Sequence, residues 1–504
     1  MKLIKCATLD ISEAKIVEVE SSFVRALPGF SIVGLANTSI QESRDRVKSA
    51  LSTLRYKFPP QKITINLSPS DLKKEGSHFD VSFALSIALQ NENVEFGDIF
   101  VFGELGLNGK IKDTSLIFPI ILSLAKQKKI DKVLIPKESF EKVSKIPGIN
   151  IATCEHLEEA IDFFKSNEKT FSKPTDIEYD FLEIEGKKYY FQNKFPLDFK
   201  DVKGQEVAKR ASLIAASGMH NILYEGSPGC GKSMCAKRLR YILPPMSLEE
   251  ILENARLSSI NEENITFEPI RNMRSPHHTS SRPSIFGGGS AKAMMGEVAL
   301  ANNGILFFDE FPHFQKSVLE SLREPLEDYK VLISRVNSKV EYQTKFLFIA
   351  AQNPCPCGNL LSSTKECRCT EVEIQRYKNR LSEPLLDRID IYVQMDEVTS
   401  KDKTSITSSQ MFETVKKAFI MQKKRGQKEL NGKLDEKDIE KFCILNSDTQ
   451  IILHSAVEKF ALTQRGINKV LKIARTIADM ESSKDIQRSH LLEALSYRRR
   501  YKDL

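Results

Sequence analysis

Three short stretches carry residues that could act on a phosphate group. The first, EGSPGCGKS, sets Gly226, Ser227, Pro228, Gly229, Cys230, Gly231, Lys232 and Ser233 in the spacing G-x-x-x-x-G-K-S. Glycines there let backbone N–H groups close on an anion, and the helix that follows adds the positive end of its dipole. Lys232 supplies a point charge to the outer phosphates and Ser233 an oxygen ligand for Mg²⁺. The second stretch, GILFFDEF, is an apolar run ending in Asp309 and Glu310. Carboxylates at the C-terminal end of a buried strand lie where ligands bind in parallel sheets. Asp309 is suited to hold Mg²⁺ through water, and Glu310 to orient and deprotonate an attacking water. The third, FLFIAAQN, ends in Asn353, placed to align that water from the adjacent strand. Each ending alone could merely cap a strand; together they predict nucleotide hydrolysis.

Other clusters invite other chemistry. NPCPCGNLLSSTKECRCT holds Cys355, Cys357, Cys367 and Cys369 as two C-x-C pairs. Four thiolates so close can build a tetrahedral zinc site with no open position, hence a structural one; the alternative is a reduced cysteine loop. The other five cysteines are scattered and read as packing residues, with Cys230 open to oxidation inside the phosphate loop. Ser77 and His78, in KEGSHFD, set a hydroxyl beside an imidazole. Successive residues at a helix start point about 100° apart and make a poor nucleophile–base pair. His78 is therefore expected to be a turn or capping residue. His277 and His278 are likewise adjacent, without the i, i+4 geometry of a helical metal pair, and Gly287, Gly288 and Gly289 read as a mobile insertion.

These groups need a scaffold. The 504 residues allow about three domains. An apolar fraction of 41% with 28% charged residues is that of a globular chain, and a net charge of +7 is compatible with nucleic acid or with an ordinary solvated surface. The longest apolar run, near Leu116 to Ala125, falls short of the roughly 20 residues of a membrane helix. Asp10 and Glu13 interrupt any signal-peptide core, so a cytoplasmic protein without structural disulfides is expected. Residues 1–165 mix strand-like and helical runs, with Ile40, Val47, Leu51 and Leu54 at helical spacing. Residues 166–197 read as a linker with a short hairpin. Residues 198–397 alternate strands and helices, the pattern of a parallel sheet covered on both faces, and residues 398–504 form a linker and a helical end. Within DYKVLISRVNSKVEYQ, Val331, Ile333, Val340 and Tyr342 alternate around Asn337-Ser338, so a hairpin is expected with Arg335 and Lys339 flanking its tip.

From Phe199 onward the chain resembles AAA+ ATPases of the branch that holds magnesium-chelatase ATPase subunits and MCM helicases. That resemblance implies that Asn353 is the sensor-1 residue. Arg388 in PLLDRIDI is the matching arginine finger, reaching a neighbouring subunit's ATP, and Arg465 in TQRGINKVLK the sensor-2 arginine of the lid. The alternative for Arg388 is an ion pair with Asp387 or Asp390. PHHT, GGG, NPCPCG and LLDRIDI, in that order after an N-terminal KEGSHFD, are similar to the YifB/ComM family over nearly the whole length. The family implies an α/β chain: a Lon-protease-like α+β domain (1–165), an AAA+ P-loop core (198–397) with the four-Cys insertion at 355–369, and a C-terminal helical lid. In Lon proteases this turn carries a serine nucleophile, with a lysine further along. Here His78 stands in the serine's place and Phe118 near the lysine's, so the dyad is absent and no protease is expected.

The resemblance further implies ATP and Mg²⁺ as cofactors, beside the zinc read from the cysteines, and a ring that is hexameric when nucleotide and DNA are present. It implies single-stranded or branched DNA as partner, with recombination proteins alongside and no membrane. In MCM-like relatives the hairpin projects into the pore, which makes Arg335 and Lys339 DNA-contact candidates. The activity implied is ATP-driven branch migration during natural transformation. The rivals are a metal-insertion ATPase of the chelatase type and an ATP-regulated protein-remodelling scaffold.

Overall fold

The computed structural model describes residues 2–10, 13–261, 263–288, 294–334, 339–398 and 403–498. The chain forms two compact units, one of Met1–Glu178 with Ala255–Phe267, the other of Tyr179–Asn254 with Glu268–Leu504. Among the described residues no helix is long and apolar enough to cross a membrane.

The first unit is built on a seven-stranded mixed sheet. Its strands are β1 (Leu3–Asp10), β2 (Glu13–Val24), β3 (Gly29–Val33), β4 (Lys62–Ser68), β5 (Ile99–Val101), β6 (Lys132–Pro136) and β7 (Asn150–Cys154). They lie in the order β3-β4-β2-β1-β5-β6-β7. Helix α1 (Thr38–Thr53) starts where the Asn37 side chain accepts from Ile40 N, and it buries Ile40, Val47 and Leu51, the stripe expected from their spacing. Helix α2 (Asp80–Ala88) is buried from Asp80 through Ile87; its three polar side chains are each bonded, Asp80 to Arg46, Ser82 to Val101 O and Ser86 to Phe83 O. Helix α3 (Ile117–Lys126) is similarly sunk, with Phe118 fully buried. Residues 255–267 belong to this unit although they fall inside the expected 198–397 core. Ser259 Oγ donates to Ser115 O at 2.6 Å, and Phe267 meets the Phe118 ring edge-on at 5.8 Å. Such docking depends on tertiary contacts that composition does not encode.

The second unit opens with the hairpin of β8 (Asp180–Ile184) and β9 (Lys187–Phe191), inside the segment read as a linker. Its centre is an all-parallel sheet of β10 (Ile222–Gly226), β11 (Met273–Arg274), β12 (Ile305–Phe308), β15 (Leu347–Gln352) and β16 (Ile391–Met395), ordered β11-β12-β15-β10-β16. Strands β12 and β15 are buried along their whole lengths, as continuous apolar runs covered on both faces must be. Helix α4 (Glu206–Gly218) precedes β10, and α5 (Lys232–Leu239) follows it directly. Helix α6 (Arg323–Glu327) leads to a hairpin of β13 (Lys330–Ser334) and β14 (Lys339–Gln343). It pairs Val331 with Tyr342 and Ile333 with Val340, the alternation read from the sequence. Arg335 and the turn at 335–338 lie outside the described residues. Helices α7 (Ser408–Lys424) and α8 (Gln464–Met480) form the C-terminal part; Met411, Phe412 and Val415 share a core with Val470, Ile473 and Ile477.

Candidate active site

Parallel strands deliver their C-terminal ends to one edge, and that edge gathers the phosphate-site residues. Strand β10 runs into the loop Gly226–Ser233, while Asp309 follows β12 and Asn353 follows β15. Gly226 must be a glycine, because a Cβ there would lie 2.7 Å from both Cys230 Sγ and Met395 O. Gly231 takes φ +101°, a conformation open to glycine, and hands the chain to α5. Pro228 and Gly229 are exposed at the loop's crest, and Ser227 and Cys230 are buried beneath it. Cys230 is only 2% exposed, so the thiol expected to be open to oxidation is shielded by its own packing.

The side chains then converge. Lys232 Nζ donates to Gly226 O at 2.6 Å, to Ser227 O at 2.9 Å and to Asn353 Oδ1 at 3.2 Å. Ser233 Oγ donates to Asp309 Oδ2 at 2.8 Å. Burial lowers the Lys232 ammonium from its ordinary value, which is what a cation held by neutral carbonyls away from water undergoes. The Ser227 hydroxyl is buried with no hydrogen-bond partner among the described residues. A buried cation, an orphaned hydroxyl and a hydroxyl–carboxylate pair form a donor set that fits polyphosphate with Mg²⁺. Ser233 and Asp309 would hold the ion, and Lys232 would take the phosphates.

Glu310 sits at φ 52°, in the left-handed region that side-chain-bearing residues enter at a cost of about 1–2 kcal/mol. His278 Nδ1 stands 3.5 Å from its Oε2. His278 stacks beside His277 at 4.2 Å between ring centres. Its near neighbour is thus the candidate base, a role that the adjacency of two histidines did not signal.

Arg388 and Arg465 lie elsewhere. Arg388 precedes β16, so it occupies the N-terminal edge of the sheet, and Asn221 Nδ2 at the start of β10 donates to its carbonyl at 3.2 Å. It pairs with Glu327 of α6 rather than with Asp387 or Asp390, and Arg465, in the first turn of α8, pairs with the same Glu327. No spacing in the sequence pointed to Glu327. Asp390 instead anchors a buried hub: it accepts from Asn221 N at 2.8 Å, with Lys469 Nζ at 3.7 Å and His220 Nδ1 at 3.9 Å.

The cysteines gather beside the phosphate loop. Cys355, Cys357, Cys367 and Cys369 have their sulfurs all within 4.8 Å of one another, with 3.4 Å from Cys355 to Cys357 and 3.6 Å from Cys357 to Cys367. A tetrahedral ion about 2.3 Å from each sulfur spaces them about 3.8 Å apart, so the cluster fits zinc. The Cys357 thiol is pulled down to about 6, first by the Asn359 and Arg368 backbone N–H groups. Gly358, inside this knuckle, packs so closely that a Cβ would lie 2.6 Å from Pro228 Cδ of the phosphate loop.

In the first unit, Ser77 Oγ donates to Glu104, and the His78 ring is fully buried with Nε2 2.8 Å from Ala7 O. His78 is thus a core residue and not a cap: the Phe79 and Phe102 rings lie 4.5 and 6.1 Å from it.

Sequence comparison supplies the lineage. Residues 18–139 match the model "Subunit ChlI of Mg-chelatase", residues 198–403 "Magnesium chelatase, subunit ChlI", and residues 405–498 its C-terminal model. Competence protein ComM of Haemophilus influenzae is 36% identical over 496 residues, 96% of this chain and 95% of that one. The chain belongs to the YifB/ComM family. Protein YifB of Escherichia coli is also 36% identical, over 96% of this chain and 94% of its own. Lon protease 2 of Bacillus subtilis is 30% identical over 148 residues, 27% of this chain and 26% of that enzyme. The magnesium-chelatase-like character of a YifB/ComM protein implies an ATPase that uses ATP and Mg²⁺, in keeping with the donor set around Lys232.

Proposed function

We propose that this YifB/ComM member is an ATP-driven DNA motor. It works as a ring, hexameric on DNA, and moves branched or single-stranded DNA so that incoming strands integrate by homologous recombination in natural transformation. The observation that carries the reading is a divided pocket. Lys232, Ser233, Asp309 and Asn353 converge at one edge of the parallel sheet, and Arg388 stands at the other. A pocket without its own arginine is completed by a second copy, and subunits whose pockets lie between them form a closed ring. The name of the relative, competence protein, supports DNA uptake as the setting, and the β13–β14 hairpin is the element best suited to follow a polynucleotide.

Within the pocket, Lys232 exchanges the Gly226 and Ser227 carbonyls for phosphate oxygens, a charge-assisted contact stronger than the neutral ones it leaves. Mg²⁺, when held by Ser233 and Asp309, neutralises charge on the phosphates. Glu310 leaves His278 and takes the proton of the attacking water, which Asn353 orients. Arg388 of the adjacent copy stabilises the charge on the γ-phosphoryl group as its bond to the departing ADP breaks and its bond to the water oxygen forms. The four cysteines would hold a structural zinc, which would brace the phosphate loop through Gly358. The first unit serves as a non-proteolytic Lon-like module for assembly or for gripping substrate.

The test is hydrolysis with and without single-stranded and forked DNA, paired with junction unwinding. DNA should stimulate turnover strongly, and Glu310→Gln should abolish unwinding yet retain ATP-dependent DNA binding. Turnover indifferent to DNA would sink the motor in favour of a metal-inserting or scaffolding ATPase.

A further inference from the structure

Two arginines far apart in the sequence meet on one carboxylate. Arg388 Nη2 pairs with Glu327 Oε2, and Arg465 Nη2 with Glu327 Oε1. Arg388 is held from two more sides, donating through Nε to Arg323 O at 3.2 Å and through Nη1 to Pro384 O, and its side chain is only 10% exposed. Arg465 is 60% exposed, so one prong is gripped from several sides and the other is held through Glu327. Beside them opens a cavity of about 720 Å³ that Arg282, Arg323, Glu327 and Arg388 help to line.

The placement decides which phosphates these arginines can serve. Strands β10 and β16 are parallel, with Ile222 against Ile391 and Gly226 against Met395. Arg388 precedes that ladder and Lys232 follows it. Five residues of strand span about 16 Å, more than an arginine side chain reaches, so Arg388 cannot touch phosphates on its own loop. Arg465, tied to the same carboxylate, is held with it. Two guanidiniums side by side repel each other unless an anion lies between them, and Glu327 is that anion. A terminal phosphate offers the same thing, oxygens arranged for forked N–H donors, with more charge.

We propose that Glu327 is a positioning residue that holds Arg388 and Arg465 together as one two-pronged cation. It surrenders them to the terminal phosphate of a nucleotide bound on a second copy of the chain. The inference rests on the ring reading above and adds to it that phosphate must displace an internal carboxylate before the pocket closes. Glu327 thus sets the ATP level at which neighbouring copies engage.

Glu327→Gln keeps the shape and removes the competing charge. The apparent KM for ATP, and the protein concentration giving half-maximal hydrolysis, should each fall at least threefold, while Glu327→Asp keeps wild-type values. An unchanged or raised KM in a folded Glu327→Gln protein overturns the proposal, since a merely structural carboxylate would lower stability without tightening ATP. Subunit mixing gives a second test that does not depend on that variant folding. Lys232→Ala and Arg465→Ala proteins, each inactive alone, should recover hydrolysis when mixed, as should Lys232→Ala with Arg388→Ala. Recovery with Arg388→Ala but not with Arg465→Ala overturns the pairing and leaves the ring standing. Recovery with neither overturns the ring reading itself, and the pairing with it.

Discussion

The turns at Gly76–Asp80 and Gly226–Ser233 follow one local recipe: glycine, a hydroxyl, a basic side chain and the start of a helix. Gly76 and Gly231 even share a backbone conformation, φ +103° and +101°. They differ in what their polar atoms meet. In the first, the imidazole is spent on Ala7 O inside a shell of phenyl rings, and the hydroxyl on Glu104. In the second, Lys232 and Ser233 point at groups delivered by two other strands, under a crest that is exposed. A site is made by convergence from several elements onto accessible space, and residue types at the right spacing are only the first condition.

The widest separation between the two turns should appear in turnover. Glu310→Gln removes the proposed base and should lower ATP hydrolysis about 10³-fold, within the range for general-base removal, while nucleotide binding persists. Retained hydrolysis would show that Glu310 is not the group that takes the proton of the attacking water.

Acid offers a way to weigh the buried sides of both units. Burial lowers His78 in the first unit and His220 in the second to about 4. Unfolded imidazoles take a proton near pH 6.5, so between about pH 6.5 and 4 the unfolded chain binds more protons and stability falls as pH falls. Each histidine should cost about 2 kcal/mol at pH 5 relative to pH 7.5. Replacing His78 with Gln should remove its share of the acid-induced drop in unfolding free energy. A drop of unchanged size would show that this imidazole does not stay neutral in the fold.

The same contrast explains what could be read from the chain alone. The phosphate loop, Asp309-Glu310 and Asn353 were legible because each sits at the end of an apolar run, so strand direction alone sends them to one edge. The hairpin's register was legible from Val331, Ile333, Val340 and Tyr342. His78 does lie in a turn, as its spacing suggested, but its burial was not legible, because local spacing carries no information on the Ala7 carbonyl that meets it from β1. Glu327 was invisible for a similar reason: its partners come from α8 and from the segment before β16, and an exposed-looking Glu in a short helix has no signature. The contribution of residues 255–267 to the first unit depends on Phe118 and Ser115, distant in sequence.

Metal loss should act on the second turn alone. With Gly358 packed on Pro228, a collapsed cysteine cluster loosens the phosphate loop's crest. Cys357→Ser should release one equivalent of zinc, read by elemental analysis, and weaken ATP binding about tenfold, which is about 1.4 kcal/mol. Full metal content in this variant, or unchanged ATP affinity after the metal is lost, would separate the knuckle from the loop.

The smallest effect belongs to Ser77. Its hydroxyl is satisfied by Glu104 at a partly buried position. Ser77→Ala deletes one such bond and leaves a carboxylate that solvent can reach, so the loss should stay within about 1 kcal/mol. ATP hydrolysis and DNA stimulation should match wild type, because Ser77 is bonded to Glu104 within the first unit. Peptide-hydrolysis assays should read the same for variant and parent. A peptidase signal in the parent that disappears with Ser77→Ala would reverse the comparison, making the buried imidazole a neighbour of a working nucleophile and the first unit a second catalytic centre.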